Sequence, residues 1–95
     1  MRYEKTRQAD EDLLDIYLYG YLNFGQSQAE KYLSDLESTF ELLAETPFAC
    51  RERTEFIPPV RIHHHGRQLI IYIVETDHIL SVRVLDDNMG VEQHI

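Results

Sequence analysis

The amino-acid sequence predicts an α+β fold, with an N-terminal strand and a helical hairpin followed by a three-stranded antiparallel meander, all strands forming one small sheet. Two observations predict it. From residue 7 to residue 46 the apolar residues recur at spacings of three and four, the mark of helices with a buried stripe. From residue 60 to residue 85 three short segments read as strands instead. Val60-Arg61-Ile62-His63-His64-His65 alternates, Leu69-Ile70-Ile71-Tyr72-Ile73-Val74 is apolar throughout, and Ile79-Leu80-Ser81-Val82-Arg83-Val84-Leu85 alternates again. With 95 residues the chain is expected to form a single domain, residues 1–95, around one core.

Residues 2–5 read as a short first strand, and Thr6 is placed to cap the helix that follows. That helix is predicted over Arg7–Asn23. Asp10, Glu11, Asp12 and Asp15 crowd its early turns, where the positive end of the helix dipole favours carboxylates, so they read as helix-start charges and not as a catalytic pair. Its inward stripe is Ala9, Leu13, Ile16, Tyr17, Gly20 and Phe24. Leu14, Leu18, Tyr21 and Leu22 form a second apolar band, which is either a widened core face or an exposed patch awaiting a partner. Gly25 ends the helix, and Ser27-Gln28-Ala29-Glu30 fits the capping box of a second. The second helix turns Ala29, Tyr32, Leu33, Leu36, Phe40 and Leu43 inward and Lys31, Asp35, Glu37, Glu41 and Glu45 outward, until Thr46-Pro47 stops it. Residues 48–58 lack a period and read as loop.

On the meander, strict alternation turns Leu80, Val82 and Val84 toward the core and Ser81, Arg83 and Leu85 away from it. The same logic buries Val60 and Ile62, with His64, and leaves Arg61, His63 and His65 on an open face that is basic and histidine-rich. This is a local departure from an acidic background. The formal net charge is −8, with ten acidic against four basic residues in positions 1–47 and seven against five in 48–95. Affinity for nucleic acid comes mainly from Lys and Arg neutralising phosphates, so unaided DNA or RNA binding is disfavoured and a basic protein partner is the better fit. The lone Cys50 cannot form an internal disulfide, which suits a reducing, cytoplasmic setting. The chain opens Met1-Arg2-Tyr3-Glu4-Lys5 with no signal-peptide pattern, and no apolar run nears the ~20 residues a bilayer crossing needs, so no membrane association is expected.

These residues resemble the ParE branch of the RelE/ParE toxin superfamily over nearly the whole chain. Ala29-Glu30-Lys31-Tyr32-Leu33 and Leu42-Leu43-Ala44-Glu45-Thr46-Pro47 resemble the family's second helix, which typically ends in an "LAE-x-P" phrase. Val60-Arg61, Gly66-Arg67 and Ile70-Ile71-Tyr72 resemble its "R-x-F-P-x-G-R-x-V-I-F-Y" run, and Val82-Arg83-Val84-Leu85 followed by Met89 resembles its "R-V-L-H-x-R-M-D" ending. The resemblance implies a RelE/ParE-like fold and the toxin of a bacterial type II toxin–antitoxin pair of the plasmid-stabilization kind. It implies a toxin that inhibits DNA gyrase, is neutralised by a ParD-like antitoxin, and touches DNA only indirectly, through the toxin–antitoxin complex. It further implies that the antitoxin lies along the helical hairpin and the sheet, meeting Leu14, Leu18, Tyr21, Leu22, Arg61, Arg67, Tyr72 and Arg83. Leu85, Asp86, Asn88 and Met89 are the positions for target contact. There the chain departs from the family pattern, with Asp86, Asn88 and Gly90 where relatives commonly carry His, Arg or Lys, and Asp.

Family toxins of this branch are not enzymes, and no cofactor is implied. The alternative readings are a RelE-like ribosome-dependent mRNA endoribonuclease and a non-toxic interaction module that binds an antitoxin-like partner. Cleavage would need a base for the 2′-hydroxyl, an acid for the leaving oxygen and cations for the phosphate, for which Arg61, Arg67, Arg83, His63, His64, His65 and His78 are the available residues. Asp86-Asp87 at the end of the last strand would repel a phosphate backbone. His63 and His65 could point the same way, but two ligands do not make a metal site, and none is expected.

Overall fold

A computed structural model describes residues 1–95 as β1 (Arg2–Lys5), α1 (Arg7–Phe24), α2 (Gln26–Glu45), β2 (Glu52–Arg53), β3 (Val60–His65), β4 (Gln68–Val74) and β5 (His78–Asp86), ending in a 3₁₀ turn at Val91–Gln93. The five strands form one sheet in the order β1-β5-β4-β3-β2. The meander is antiparallel, and β1 joins it along β5 in parallel. Residues 48–58, expected as loop, contain the two-residue β2, which pairs through Glu52 and Arg53 with Arg61 and Val60.

Thr6 caps α1 as expected, its Oγ1 accepting from the Ala9 N–H at 3.1 Å, and the same hydroxyl donates to the Val82 carbonyl at 2.8 Å. One residue thus fixes both the start of the helix and its place beside β5. In the hairpin Gly20 faces Ala29, where a Cβ on the glycine would stand in ordinary contact, 3.5 Å from the alanine Cβ. Gly25, at φ 89°, serves both as the stop of α1 and as the residue before α2. The expected capping box is not formed. Glycine turns the chain sharply enough that helix begins at Gln26, leaving Ser27 inside it, and the Gln26 amide donates to Glu30 instead. Between β3 and β4 the two-residue turn Gly66-Arg67 has positive φ at its first residue only, the pattern that glycine permits in a II′ hairpin.

Both helices cover one face of the sheet. The main core joins Leu13 of α1 and Leu36, Phe40, Leu43 and Ala44 of α2 to Ile70, Tyr72, Ile79 and Val84. A second cluster of Val60, Ile71 and Leu85 lies on the opposite face under Phe56 and Val91. This explains why β4 is apolar from Leu69 to Val74: both of its faces are covered.

The phase expected for β5 is corrected. Tyr72 pairs with Ser81 while Ile71 pairs with Arg83, so Val82 is an extra residue in a β-bulge. The bulge shifts the alternation: Ile79, Ser81 and Val84 share the helix-covered face, and Val82 and Leu85 pack on the other. Val84 faces the helices and Leu85 the opposite side, as expected, but Leu85 is buried because the second cluster covers that side; Ser81, brought inward by the bulge, is buried with no partner for its hydroxyl. On β3 the two faces are also exchanged. Val60 and Ile62 pack into the second cluster, while Arg61, His63 and His65 pair with Tyr72, Ile70 and Gln68 on the helix-covered side. The basic, histidine-rich face is not open.

Candidate functional site

An unpartnered apolar band lies on the outer side of α1. Leu14 is 56% exposed, Leu18 46%, Tyr21 47% and Leu22 80%, whereas α1 buries only Ala9 and Leu13. Of the two readings of this band, the structure selects exposure. A groove of about 340 Å³ adjoins it, floored by Leu13, Leu14, Tyr17 and Leu33 and edged by Lys5, Asp10 and Glu37.

The arginines expected at a partner surface are placed differently from one another. Arg67, in the β3–β4 turn, is exposed. Arg61 donates to the Cys50 carbonyl, lies 5.1 Å from the centroid of the Phe48 ring and approaches Glu52 at 4.0 Å. Arg83 is held by Asp12: its Nε and Nη2 donate to the two carboxylate oxygens at 2.8 and 2.9 Å, and its Nη1 donates to the His94 carbonyl at 3.2 Å. Asp12 also accepts from the Val84 N–H at 2.9 Å. Asp12 raises the Arg83 pKa further above its ordinary value. Asp12 is therefore an anchor from α1 to β5, and not merely a helix-start charge.

Tyr72 cannot meet a partner. It is wholly buried in the main core, and its hydroxyl donates to the Pro47 carbonyl at 3.0 Å; burial raises its pKa, as does the neighbouring Cys50. The target positions divide likewise. Leu85 belongs to the second cluster, while Asp86 shapes the turn after β5, its Oδ1 accepting from the Asn88 N–H and its carbonyl from the Met89 N–H. Asn88 and Met89 are exposed.

The histidines do not converge. His63 Nδ1 lies 3.7 Å from Cys50 Sγ, His65 Nδ1 lies 3.1 Å from the Thr39 hydroxyl, and His64 approaches Asp87 at 3.5 Å. His78 sits at the start of β5 beside Asp77, Arg2 and Glu4. There His78 and then Arg2 hold the Asp77 carboxyl at about 2. Burial lowers the His63 pKa, helped by His65 and His64. No three His, Cys, Asp or Glu side chains are grouped to hold a metal ion, and no helix is long and apolar enough to cross a membrane.

The molecule is a small α+β domain: a mixed sheet with an antiparallel meander, covered on one face by a helical hairpin whose outer side is bare. Comparison gives it a family: the chain belongs to the ParE toxins, its residues 3–90 matching the profile described as ParE toxin of type II toxin-antitoxin system, parDE. It is 29% identical over 93 residues to Toxin ParE1 of Caulobacter vibrioides (strain CB 15), a match covering 98% of this chain and 96% of that one. Its fold is similar to that in a solved structure described as the chromosomal ParDE TA system from P. aeruginosa, with a TM-score of 0.74 at 23% identity, over 90% of this chain and 95% of the other.

Proposed function

We propose that this chain inhibits DNA gyrase by binding it, that it catalyses no bond cleavage of its own, and that a ParD-like antitoxin neutralises it. The observation that carries the antitoxin reading is the bare outer face of α1. Leu14, Leu18, Tyr21 and Leu22 form a contiguous apolar band on a chain of net charge −8, and soluble proteins rarely leave such a band in water without a partner. Membership of a toxin–antitoxin family supplies that partner. Arg67 is the exposed one of the three arginines proposed for the antitoxin surface; Arg61 and Arg83 already have partners within the chain. Asn88 and Met89 are the exposed positions left for the target.

The dispersal of the histidines supports a binding mode of action over RNA cleavage. In-line cleavage needs an acid, a base and phosphate-holding cations around one point. Here Arg83 is committed to Asp12, and His63 and His65 lie on the helix-covered side of β3.

The test has two arms. Purified protein is expected to impair supercoiling of relaxed plasmid by gyrase and to leave messenger RNA intact on translating ribosomes; in-frame cleavage seen by primer extension would overturn the reading. The substitution Leu18→Glu is expected to weaken the complex with the antitoxin by several kcal/mol, as at other desolvated anchor positions, while the free chain keeps its circular dichroism spectrum.

A further inference from the structure

Resting on the antitoxin reading above, we infer that the segment docking on the outer face of α1 and its groove is a basic amphipathic helix, with apolar residues on the groove floor and Lys or Arg along both edges. The groove has an apolar floor and edges that carry two carboxylates, Asp10 and Glu37, against one cation, Lys5. Asp10 and Glu37 stand on its rim from α1 and α2, and Asp15 follows on α1 beside Leu14 and Leu18. On α2, Glu30, Glu37 and Glu41 are spaced by seven and four, which places them on one face of the helix, the face that Glu37 turns to the groove.

Few of these charges are answered within the chain. Lys5, half-buried, approaches the exposed Asp10 at 3.5 Å and the exposed Arg7 approaches Glu11 at 3.5 Å, both long contacts of little strength. Asp15, Glu30, Glu37 and Glu41 have no cationic partner. A second copy of this chain would bring the same acidic edges together, and like charges across an interface oppose binding. An acidic segment would meet the same opposition. A groove between two antiparallel helices suits a third helix laid along it, whose apolar positions enter at i, i+4 and i+7.

The test is a surface-display selection on the immobilised full chain, using a library of helical peptides. Apolar positions are fixed as Leu at i, i+4 and i+7, and the flanking positions vary among Lys, Arg, Glu and Gln. Enriched peptides are expected to carry Lys or Arg at the flanks. They are expected to lose at least about tenfold in affinity against Leu18→Ser and about tenfold against the double change Asp15→Lys with Glu37→Lys. The double change Glu75→Lys with Glu92→Lys makes the same change in net charge at exposed sites outside the groove, and is expected to alter affinity less than about threefold.

Equal loss in the two double variants would show attraction by net charge alone and overturn the inference. Enriched peptides with neutral or acidic flanks that still depend on Leu18 would overturn the basic partner while leaving the docking face intact. Enriched peptides indifferent to Leu18→Ser would overturn both the inference and the assignment of this face to the antitoxin.

Discussion

The two helices of the hairpin are nearly equal in length, 18 residues in α1 and 20 in α2, yet α2 buries Ala29, Leu36, Thr39, Phe40, Leu43 and Ala44 while α1 buries only Ala9 and Leu13. Both contain enough apolar residues to cover a sheet. The difference is where those residues stand. In α2 the large ones, Leu42 apart, lie on one stripe and mostly polar residues fill the rest, whereas in α1 Leu14, Leu18 and Leu22 recur at i, i+4 and i+8 on a face turned away from the sheet. Residues that contribute nothing to the chain's own core, repeated at helical spacing, are what an interface requires. α2 holds the fold together, and α1 offers a surface.

The strongest way to break this comparison is to truncate one residue on each helix. Phe40, fully buried in the main core and stacked 5.6 Å from Tyr3, is expected to cost about 3–5 kcal/mol as Phe40→Ala, through lost burial and the cavity left behind. Leu22→Ser on α1 is expected to change stability by no more than about 0.5 kcal/mol. Urea denaturation of both variants checks this. A loss for Leu22→Ser approaching that of Phe40→Ala would return the outer band to the core.

The contrast was half legible in the sequence. The order of elements, the Thr6 cap, the inward stripe of α2 and the surplus band on α1 all follow from local spacing, which residue type and helical period determine. What escaped depends on contacts between distant segments. The bulge at Val82 reverses the phase of the part of β5 before it, and nothing in an alternating Ile79–Leu85 run marks which residue is the extra one. Tyr72 stands in a run apolar on both faces, so period alone could not tell that it points under α2 and not to a partner. Asp12 and Arg83 are 71 residues apart, and a carboxylate in a first turn already has a sufficient local explanation. Arg83 was legible as important, but as a cation for a partner and not as a fastener within the chain.

That fastener sharpens the comparison, because α1 is held down by a charge where α2 is held by apolar residues. The side chains of Arg83 and Asp12 are only 19% and 14% exposed. Asp12→Ala would leave the guanidinium half-buried and unpaired, and would also strip the Val84 N–H of its acceptor. The expected loss is about 2–4 kcal/mol, lower than for a fully buried pair because water reaches both groups. Arg7 and Glu11, an i,i+4 pair on the outer side of the same helix, are expected to contribute less than about 0.5 kcal/mol. A double-mutant cycle over Asp12 and Arg83, followed by urea denaturation, separates the pair from the backbone contact. A coupling near zero would mean that the ion pair adds nothing to the hold that Thr6, Ala9, Leu13 and the Asp12–Val84 backbone contact have on α1.

The smallest expected effect concerns the ground under α2. His63 lies on the helix-covered side of β3, against Cys50, and burial there, with His65 and His64 adding to it, depresses its pKa below the ordinary 6.5. The unfolded chain therefore binds a proton at this position at a higher pH than the folded one does. Stability from the neutral imidazole is complete above about pH 6.5 and declines as the pH falls below it toward the folded-state value, since protonation then favours the unfolded chain. Urea midpoints at pH 7.5 and 5.5 are expected to differ, and His63→Gln, which cannot take up the proton, is expected to shrink the difference. The outer face of α1, the proposed docking surface, carries no histidine, so its affinity for a fixed peptide is expected to follow the folded fraction and nothing more across this range. An undiminished pH difference in His63→Gln would place the titrating group elsewhere and remove His63 from the scaffold's side of the comparison.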